Sequence, residues 1–455
     1  MTFVDFLPVF MFFSLAILLF SGYPVAWVLG GIGVSFGAIG MLFGVFSFVE
    51  YFNIISRIWG TAAENLILVA VPMFIFMGTM LERSGVANDL LYALQVLLRR
   101  TPGGLALSVT IMGTIMAATT GIIGASVVMM TLLALPVMLD RGYDIPLATG
   151  TIAASGTLGI LIPPSIMLVI MADLLSISVG TLFLAAIVPG LILSGLYLVY
   201  IYIATRIKPS LAPPLPDEMG PDTRAQLVTM VLRSFFPPIM LIVFVLGSIF
   251  AGWATPTEAA GVGALGAVLL AVFNRKFSFT VLKDVSERSA LTIAMIFGIF
   301  IGATSFSYVY RSLGGDDLVH AFVDHVGFGS WGLLILMMVL VFLLGFFFDW
   351  IEITLIVLPL FAPIMRTMDF GTHIPFQVEV IPWIAILLAV NLQTSFLTPP
   401  FGFALFYMKG VAPEGVRIQQ IYRGIVPFVS LQLVGLLVVI MFPALALWLP
   451  HVMLD

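Results

Sequence analysis

The sequence predicts an all-α polytopic membrane protein made of two duplicated halves, each with a helical hairpin and a broken transmembrane helix. Three observations carry this expectation. Of 455 residues, 61% are hydrophobic and 9% charged, against about 25% charged in a soluble domain. Short motifs recur in the same order in both halves at near-constant spacing. Two of them are double prolines inside long apolar runs, Pro163-Pro164 and Pro399-Pro400, where a missing N–H and a ring clash stop a helix.

The first stretch, "MTFVDFLPVFMFFSLAILLFSGYPVA", has Asp5 and no Lys or Arg near its start. A secretory signal begins with positive charge, so this is expected to be a retained membrane helix. Ordinary spans are expected at 6–22, 24–47, 64–81, 181–204, 234–252, 255–273, 290–310 and 420–449, each near the roughly 20 apolar residues a crossing needs. Segments 83–100 and 311–326 are amphipathic and follow a span directly, which suits helices lying in the interface plane. Segment 104–139 is punctuated by Thr119-Thr120-Gly121 and Gly124-Ala125-Ser126, and segment 331–366 by "GFFFDWIE". Both have the length of hairpins that enter the membrane and return. Segments 146–180 and 378–412 contain the double prolines and are the expected broken helices. A proline-rich, doubly charged stretch makes 205–233 an aqueous linker between a first repeat, 1–204, and a second, 234–455.

The duplication rests on four matches. "RSGVANDLL" from Arg83 pairs with "RSLGGDDLV" from Arg311, and "ALPVM" with "FAPIM". "ILIPPS" pairs with "FLTPPF", and, more weakly, "GYPVAWVLGGIG" with "ATPTEAAGVGALG". Paired interrupted segments in duplicated halves point to the binding site of a secondary transporter. Whether the halves are inverted depends on the number of crossings between them. Loop charges at 206–233 and 275–288 allow both of those loops to be cytoplasmic.

Composition excludes several classes. There is no cysteine, and the four histidines, His320, His325, His373 and His451, are scattered. A net charge of −5 argues against nucleic acid as a partner. No P-loop motif is present. No cysteine, H-E-x-x-H or close His/Asp pair at membrane depth supports a membrane-embedded enzyme. A channel would need a pore lined by repeated charges or carbonyl rings.

A broken helix frees carbonyls at one half-helix end and N–H groups at the other. The first suits a hard cation and the second an anion. Oxygen donors gather at the first break as Thr119, Thr120, Ser126, Ser155 and Thr157, and at the second as Asn391, Gln393, Thr394, Ser395 and Thr398, with Asp349 and Thr354. Ser and Thr in membrane helices also satisfy carbonyls or ease packing. Matching breaks that each follow a hairpin favour a site. Asp349 and Glu352 are either functional intramembrane acids or residues of a water-exposed hairpin tip.

"ATGTIAASGTLGILIPPSIMLVIMADLLSISVGTLFLAAIVPGL", "TPTEAAGVGAL", "FFFDWIEITLIVLPLFAPIM" and "NLQTSFLTPPFGFALF" closely resemble the large membrane subunit of TRAP (tripartite ATP-independent periplasmic) transporters. The resemblance spans nearly the whole chain. It implies a sodium-driven importer of organic acids in a bacterial inner membrane, not an enzyme and without an organic cofactor. It implies three partners: a small membrane subunit, a periplasmic substrate-binding protein and membrane lipid. It also implies two inverted repeats and an elevator-type ion-transporter fold, with 83–100 and 311–326 as arms of the scaffold.

Carried over residue by residue, the first sodium site falls at 119–126, with Thr119, Thr120 and Ser126, together with Ser155, Thr157 and Gly159. The second falls at Asp349 with Asn391, Thr394, Ser395, Thr398 and Pro399. Substrate is expected between the tips, at Thr120, Gly121, Ser165, Glu352 and Gln393. The first tip, "ATTGIIGAS", is more apolar than in many relatives, and Trp350 and Glu352 replace smaller, uncharged residues. The sequence offers no conspicuous intramembrane Arg or Lys for a carboxylate, so half-helix N-termini and hydroxyls are expected to bind it. The rival expectation is a proton- or sodium-coupled stand-alone anion symporter of the same fold.

Overall fold

A computed structural model of the chain describes residues 3–121, 123–215, 220–221, 223–399 and 402–454, with the backbone alone at 3, 5, 119, 120, 320, 322–324 and 326. All regular structure among the described residues is helical. Among the described residues, eight helices are long and apolar enough to cross a membrane, or nine if one bent pair counts as a span.

The first half opens with α1 (Leu7–Phe20), α2 (Val25–Leu42) and α3 (Phe48–Ile58). The span expected at 6–22 is a 14-residue helix after a 3-10 turn, about 21 Å of α-helix. Sequence reading missed α3 altogether. It is nucleated by a capping box: the Glu50 N–H donates to Ser47 Oγ at 3.2 Å, and the Ser47 N–H to Glu50 Oε2 at 2.7 Å. A π turn at 59–63 continues it, and α4 (Ala70–Arg83) follows, so that 48–63 and 67–83 form a pair bent by 56°. The span expected at 64–81 is therefore one arm of a bent pair.

Next come α5 (Val86–Leu98), the hairpin helices α6 (Gly104–Thr120) and α7 (Ile123–Asp140), α8 (Ile145–Thr157), α9 (Ile166–Leu175) and α10 (Val179–Ile207). The second half holds α11 (Arg224–Phe250), α12 (Pro256–Phe273), α13 (Phe279–Ser312) and α14 (Gly315–Val326). It continues with α15 (Ser330–Leu344), α16 (Trp350–Met365), α17 (Gln377–Leu397), α18 (Phe403–Val411), α19 (Ile418–Met441) and α20 (Ala444–Leu454).

Several boundaries differ from expectation. Arg83 and Arg311 close the spanning helices α4 and α13, so the amphipathic helices begin only after glycine turns, at Val86 and Gly315. The linker is shorter than 205–233, because the Thr223 hydroxyl caps α11 by accepting the Gln226 N–H at 3.3 Å. Part of that linker is packed rather than free: Ala212 and Leu215 are buried. The Leu215 N–H donates to the Arg99 carbonyl at 3.3 Å, and the Asp144 N–H to the Leu211 carbonyl at 2.9 Å. The helix expected over 420–449 stops at Met441, because Pro443 cannot donate to the preceding turn, and α20 starts afresh.

The contacts have a pattern that element order alone does not require. Numbering the repeats together, α2 corresponds to α12, α4 to α13, α7 to α16, α8 to α17, α9 to α18 and α10 to α19. Helix α2 packs on α13 while α12 packs on α4; α8 packs on α19 while α17 packs on α10; and α9 packs on α16 while α18 packs on α7. Each pairing recurs with the halves exchanged, as a pseudo-twofold relation demands.

The hairpin bases lie at opposite ends of α8–α9. At the first base the Leu105 N–H donates to Tyr143 Oη at 3.1 Å, and α8 starts two residues later. Burial raises the Tyr143 phenol above its ordinary range, keeping it a neutral acceptor. At the second base the Asp369 N–H donates to Ser330 Oγ at 2.9 Å, and Arg366 Nη2 donates to the carbonyl of Leu175, the last residue of α9, at 3.1 Å. Gln377, which opens α17, also donates to the Arg366 and Met368 carbonyls. Trp331, Phe370, His373 and Trp383 stack edge-on there. The first base lies instead beside the basic loops. Arg83 pairs with Asp284 at 2.7 Å, and Asn274 donates to the Ser84 carbonyl.

Where α8 crosses α19, a Cβ on Gly424 would collide with the Pro146 carbonyl, and one on Gly150 with the Gly424 carbonyl. Overpacking of such a contact costs about 1–3 kcal/mol. Gly424→Val is expected to lower the melting temperature of the purified chain in detergent. Gly195→Ala, with open space around it, is expected to leave it unchanged or raise it.

Candidate functional site

At the first break α8 unwinds at Thr157, passes through a 3-10 turn at Leu158–Ile160, and reaches Pro163-Pro164, whose peptide bond is cis. Two hydroxyls hold the unwound chain. Thr157 Oγ1 donates to the Ala154 carbonyl at 2.9 Å, and Ser165 Oγ reaches back to the Ile160 carbonyl at 2.6 Å. Every residue from Thr157 to Ile166 is buried, so these carbonyls have no water to accept from.

The first hairpin wraps this break. Ser155 Oγ donates to Thr110 Oγ1 of α6 at 3.2 Å. On the α7 side, a Cβ on Gly156 would sit 3.1 Å from the Val127 Cα. The hairpin turns at Gly121, with φ +59°. A Cβ there would press on the Ile166 side chain at 3.0 Å and its backbone N at 3.4 Å. Glycine is needed on both counts, and the tip therefore rests against the N-terminus of α9.

The second break is built from the other half. Thr394 Oγ1 donates to the Val390 carbonyl at 2.9 Å, Ser395 Oγ to Leu392 at 2.7 Å, and Thr398 Oγ1 to Thr394 at 2.8 Å. Asn391 Nδ2 donates to the Met338 carbonyl of α15 at 2.7 Å, tying the break to the second hairpin. Gly345, where that hairpin turns, is packed directly on Ser395 with no room for a Cβ. Thr354 of α16 is 1% exposed, and its hydroxyl has no partner among the described residues.

The breaks meet. Gln393 Nε2 donates to Thr157 Oγ1 at 3.4 Å and to Tyr197 Oη at 3.5 Å. Thr157 and Gln393 are 236 positions apart, the same offset that separates Pro163 from Pro399. Equivalent positions of the two halves thus touch each other, as residues on a pseudo-twofold axis must.

These polar atoms suit a small hard cation. Each hydroxyl that donates its proton to a carbonyl turns its oxygen lone pairs outward, and Asn391 keeps its Oδ1 for acceptance. Neutral oxygens of hydroxyl, amide and carbonyl groups are the ligand type hard cations take.

A family model described as "Tripartite ATP-independent periplasmic transporter, DctM component" matches residues 12–445. The chain belongs to this family. The C4-dicarboxylate TRAP transporter large permease protein DctM of Pseudomonas aeruginosa is 32% identical over 392 residues, 86% of this chain and 87% of that protein. The isethionate TRAP transporter permease protein DctMQ of Oleidesulfovibrio alaskensis is 28% identical over 458 residues, 98% of this chain and 66% of that protein. Among solved structures, the Alcanivorax borkumensis YdaH transporter aligns over 96% of this chain and 98% of its own with a TM-score of 0.62. At 14% identity that likeness concerns the fold.

In this TRAP permease the residues singled out from sequence divide by position. Ser155, Thr157 and Gly159 lie together at the first break, with Ser126 buried in the adjoining hairpin arm. Asn391, Thr394, Ser395 and Thr398 lie together at the second, followed by Pro399. The side chains of Thr119 and Thr120, and the whole of Pro400, lie outside the described residues. Ser165 and Gln393 were expected to bind substrate. Both are fully buried, with Ser165 Oγ and Gln393 Nε2 hydrogen-bonded within the breaks, while Gln393 Oε1 has no partner among the described residues. Asp349 and Glu352 form a capping box on α16. Asp349 Oδ1 accepts the Trp350 N–H at 2.8 Å, and Glu352 Oε2 accepts the Asp349 N–H at 3.1 Å. This explains two carboxylates three residues apart without a ligand.

Sequence reading missed Tyr407 of α18. Its ring lies against Gly124 beside the first tip. No motif marks it; only the exchanged packing of α7 and α18 brings it there.

If Asp349 serves mainly to cap α16, Asp349→Asn keeps an acceptor and is expected to retain near-parental thermal stability. Asp349→Ala is expected to lose about 1 kcal/mol. Denaturation of the two variants in the same detergent checks this.

Proposed function

We propose that this chain is the permease of a sodium-driven importer of a small organic acid of the C4-dicarboxylate class. A periplasmic substrate-binding protein delivers the acid, and a small membrane subunit completes the transporter. The observation that carries this reading is the meeting of two hydroxyl-lined breaks, each wrapped by its own hairpin. The TRAP family membership supports it, as do relatives named for C4-dicarboxylate and isethionate. Both are small organic anions.

In this reading the hairpins open from opposite sides of the membrane and the halves are inverted repeats. If the first hairpin returns, four crossings lie between α2 and α12 (the bent pair, the first broken helix, α10 and α11), so α12 is the fifth crossing after α2. An odd step inverts the second copy. The basic segments at 83–100, 206–224 and 275–288 gather with the first hairpin base. The positive-inside rule makes that end cytoplasmic in a bacterial inner membrane.

The mechanism follows from where the ligands would sit. Sodium held by Ser155, Thr157 and Gly159 together with Ser126 of α7 would bridge a break to the hairpin around it, and sodium at Asn391, Thr394, Ser395 and Thr398 together with Thr354 of α16 would do the same in the second half. Each cation would thereby order the tip beside it and the anion space between Gly121, Tyr407 and the α16 N-terminus. Substrate charge is offset by the bound cations, which lowers the cost of moving it through a low-dielectric region. The hairpins and broken helices then slide as one body against α2, α4, α12 and α13, an elevator motion. The helices at 86–98 and 315–326 serve as arms that hold the scaffold.

The test is thermal unfolding of the purified permease titrated with NaCl against matched KCl and choline chloride. A ligand specific to the folded state stabilises by mass action, about 2.7 kcal/mol at a hundredfold excess over Kd. We expect a saturable, sodium-specific rise that weakens in Asn391→Ala, Thr394→Ala and Thr398→Ala. Identical curves in the three salts would reject sodium coupling through these residues.

A further inference from the structure

Outside the breaks and tips, a cavity of about 640 Å³ lies between α3, α13, α9 and α16. It contains two arginines. Arg57 stands on α3, where its guanidinium lies 5.5 Å from the centre of the Tyr308 ring. Arg311 ends α13 and donates to the Pro359 carbonyl. That carbonyl is left without a helical donor because the residue four positions on is Pro363.

Thr304, Tyr308 and Arg311 share one face of α13. Across the cavity Asp173 of α9 contributes the opposing charge, with one oxygen accepting from Asn65 Nδ2 at 2.8 Å. The lining therefore carries two cations and one anion. Asp316 at the rim lies 3.8 Å from Arg311 Nε. Among the described residues Arg57 has no carboxylate partner.

The volume is that of a small-molecule pocket. The Ser307 hydroxyl also lines the cavity, while those of Thr61 and Thr304 donate to the Arg57 and Phe300 carbonyls. The cavity lies near the second hairpin base, as Leu174 and Pro359 in its wall show, and so away from the basic loops. An arginine fork matches a carboxylate in shape and charge.

We propose that this cavity is a receiving site for a carboxylate anion, held by Arg57 and Arg311 before it passes to the space between the hairpin tips. The identity of the ligand rests on the organic-acid reading above; the anion selectivity of the cavity does not. α3 and α13 belong to one side of the cavity and α9 and α16 to the other, so a ligand here touches both bodies that would slide.

The chain has no cysteine, so Ser307→Cys creates a single thiol in the cavity wall. We would measure its modification in membrane vesicles by an anionic and by a cationic methanethiosulfonate of similar size, in the full-length chain. The anionic reagent is expected to react faster, and the anionic-to-cationic rate ratio to fall several-fold on adding Arg57→Gln or Arg311→Gln. Arg57→Lys should preserve the ratio. Sodium succinate is expected to slow modification relative to sodium chloride, and to do so less in the two Gln variants.

An unreactive thiol, or a ratio indifferent to both arginines, overturns the site. A ratio that responds while succinate gives no protection overturns carboxylate binding. None of these readouts requires transport, and succinate is compared with chloride at equal sodium. Sodium coupling can therefore fail independently of them.

Discussion

Buried backbone that is not helical must find hydrogen-bond partners inside the protein, and at mid-membrane it has no alternative. That constraint shapes the centre of this permease. Unwinding α8 strands carbonyls near Ala154 and Ile160, and the Thr157 and Ser165 hydroxyls answer them from within the same segment. What remains is the outward side of Thr157, and it is covered by Gln393 of the other break. Each half therefore completes the other. This is one physical reason for a duplicated architecture: a single broken helix would leave its weak point open to lipid.

Proline alone does not create a break. Pro237-Pro238 lie within α11, which continues through them to Phe250. The difference lies in the surroundings. Helix α11 is partly exposed along its length, while Pro163-Pro164 lie under the tip of a hairpin that turns at Gly121 against Ile166. At 163 the hairpin tip stabilises the unwound form, whereas Pro238, though buried, packs within a helix that stays regular. The double proline in sequence was thus a correct pointer for a partial reason.

The legible parts of the sequence were those fixed by short-range rules. Apolar run length located most of the spans, and glycine and serine punctuation located the hairpin turns. The capping box at Ser47 and Glu50 was equally local, yet α3 escaped notice because its apolar face is short and the stretch from 48 to 63 lacks a full spanning run. Arg57 escaped with it. Other features are not local at all. Tyr407 reaches the first tip, and Gln393 reaches Thr157, only through pairings between elements more than two hundred residues apart. Polarity singled out Ser165 and Gln393, but it could not show that Ser165 Oγ bonds the Ile160 carbonyl and Gln393 Nε2 the Thr157 hydroxyl. The packed linker belongs here too, since Ala212 and Leu215 are buried by partners at Arg99 and Asp144 that no local pattern announces.

The chemistry of the breaks also bears on how a coupling cation would be released. A site made of carboxylates would hold a cation strongly and, once emptied, leave charge buried at heavy cost. Here the two acids nearest the second break are engaged at the N-terminus of α16, accepting backbone N–H groups and facing the helix dipole. The oxygens at the breaks are neutral. In the reading proposed above, a neutral oxygen cage would leave no bare charge when empty, so the empty carrier would return across the membrane without carrying one. Its affinity then depends on geometry: hydroxyls already oriented by donating to their own carbonyls lose little freedom on meeting a cation, while the hairpin must close to complete the shell. On that same reading, ligand oxygens drawn from a break and from its hairpin would make binding and closure the same event, which is the condition for coupling the ion to the movement.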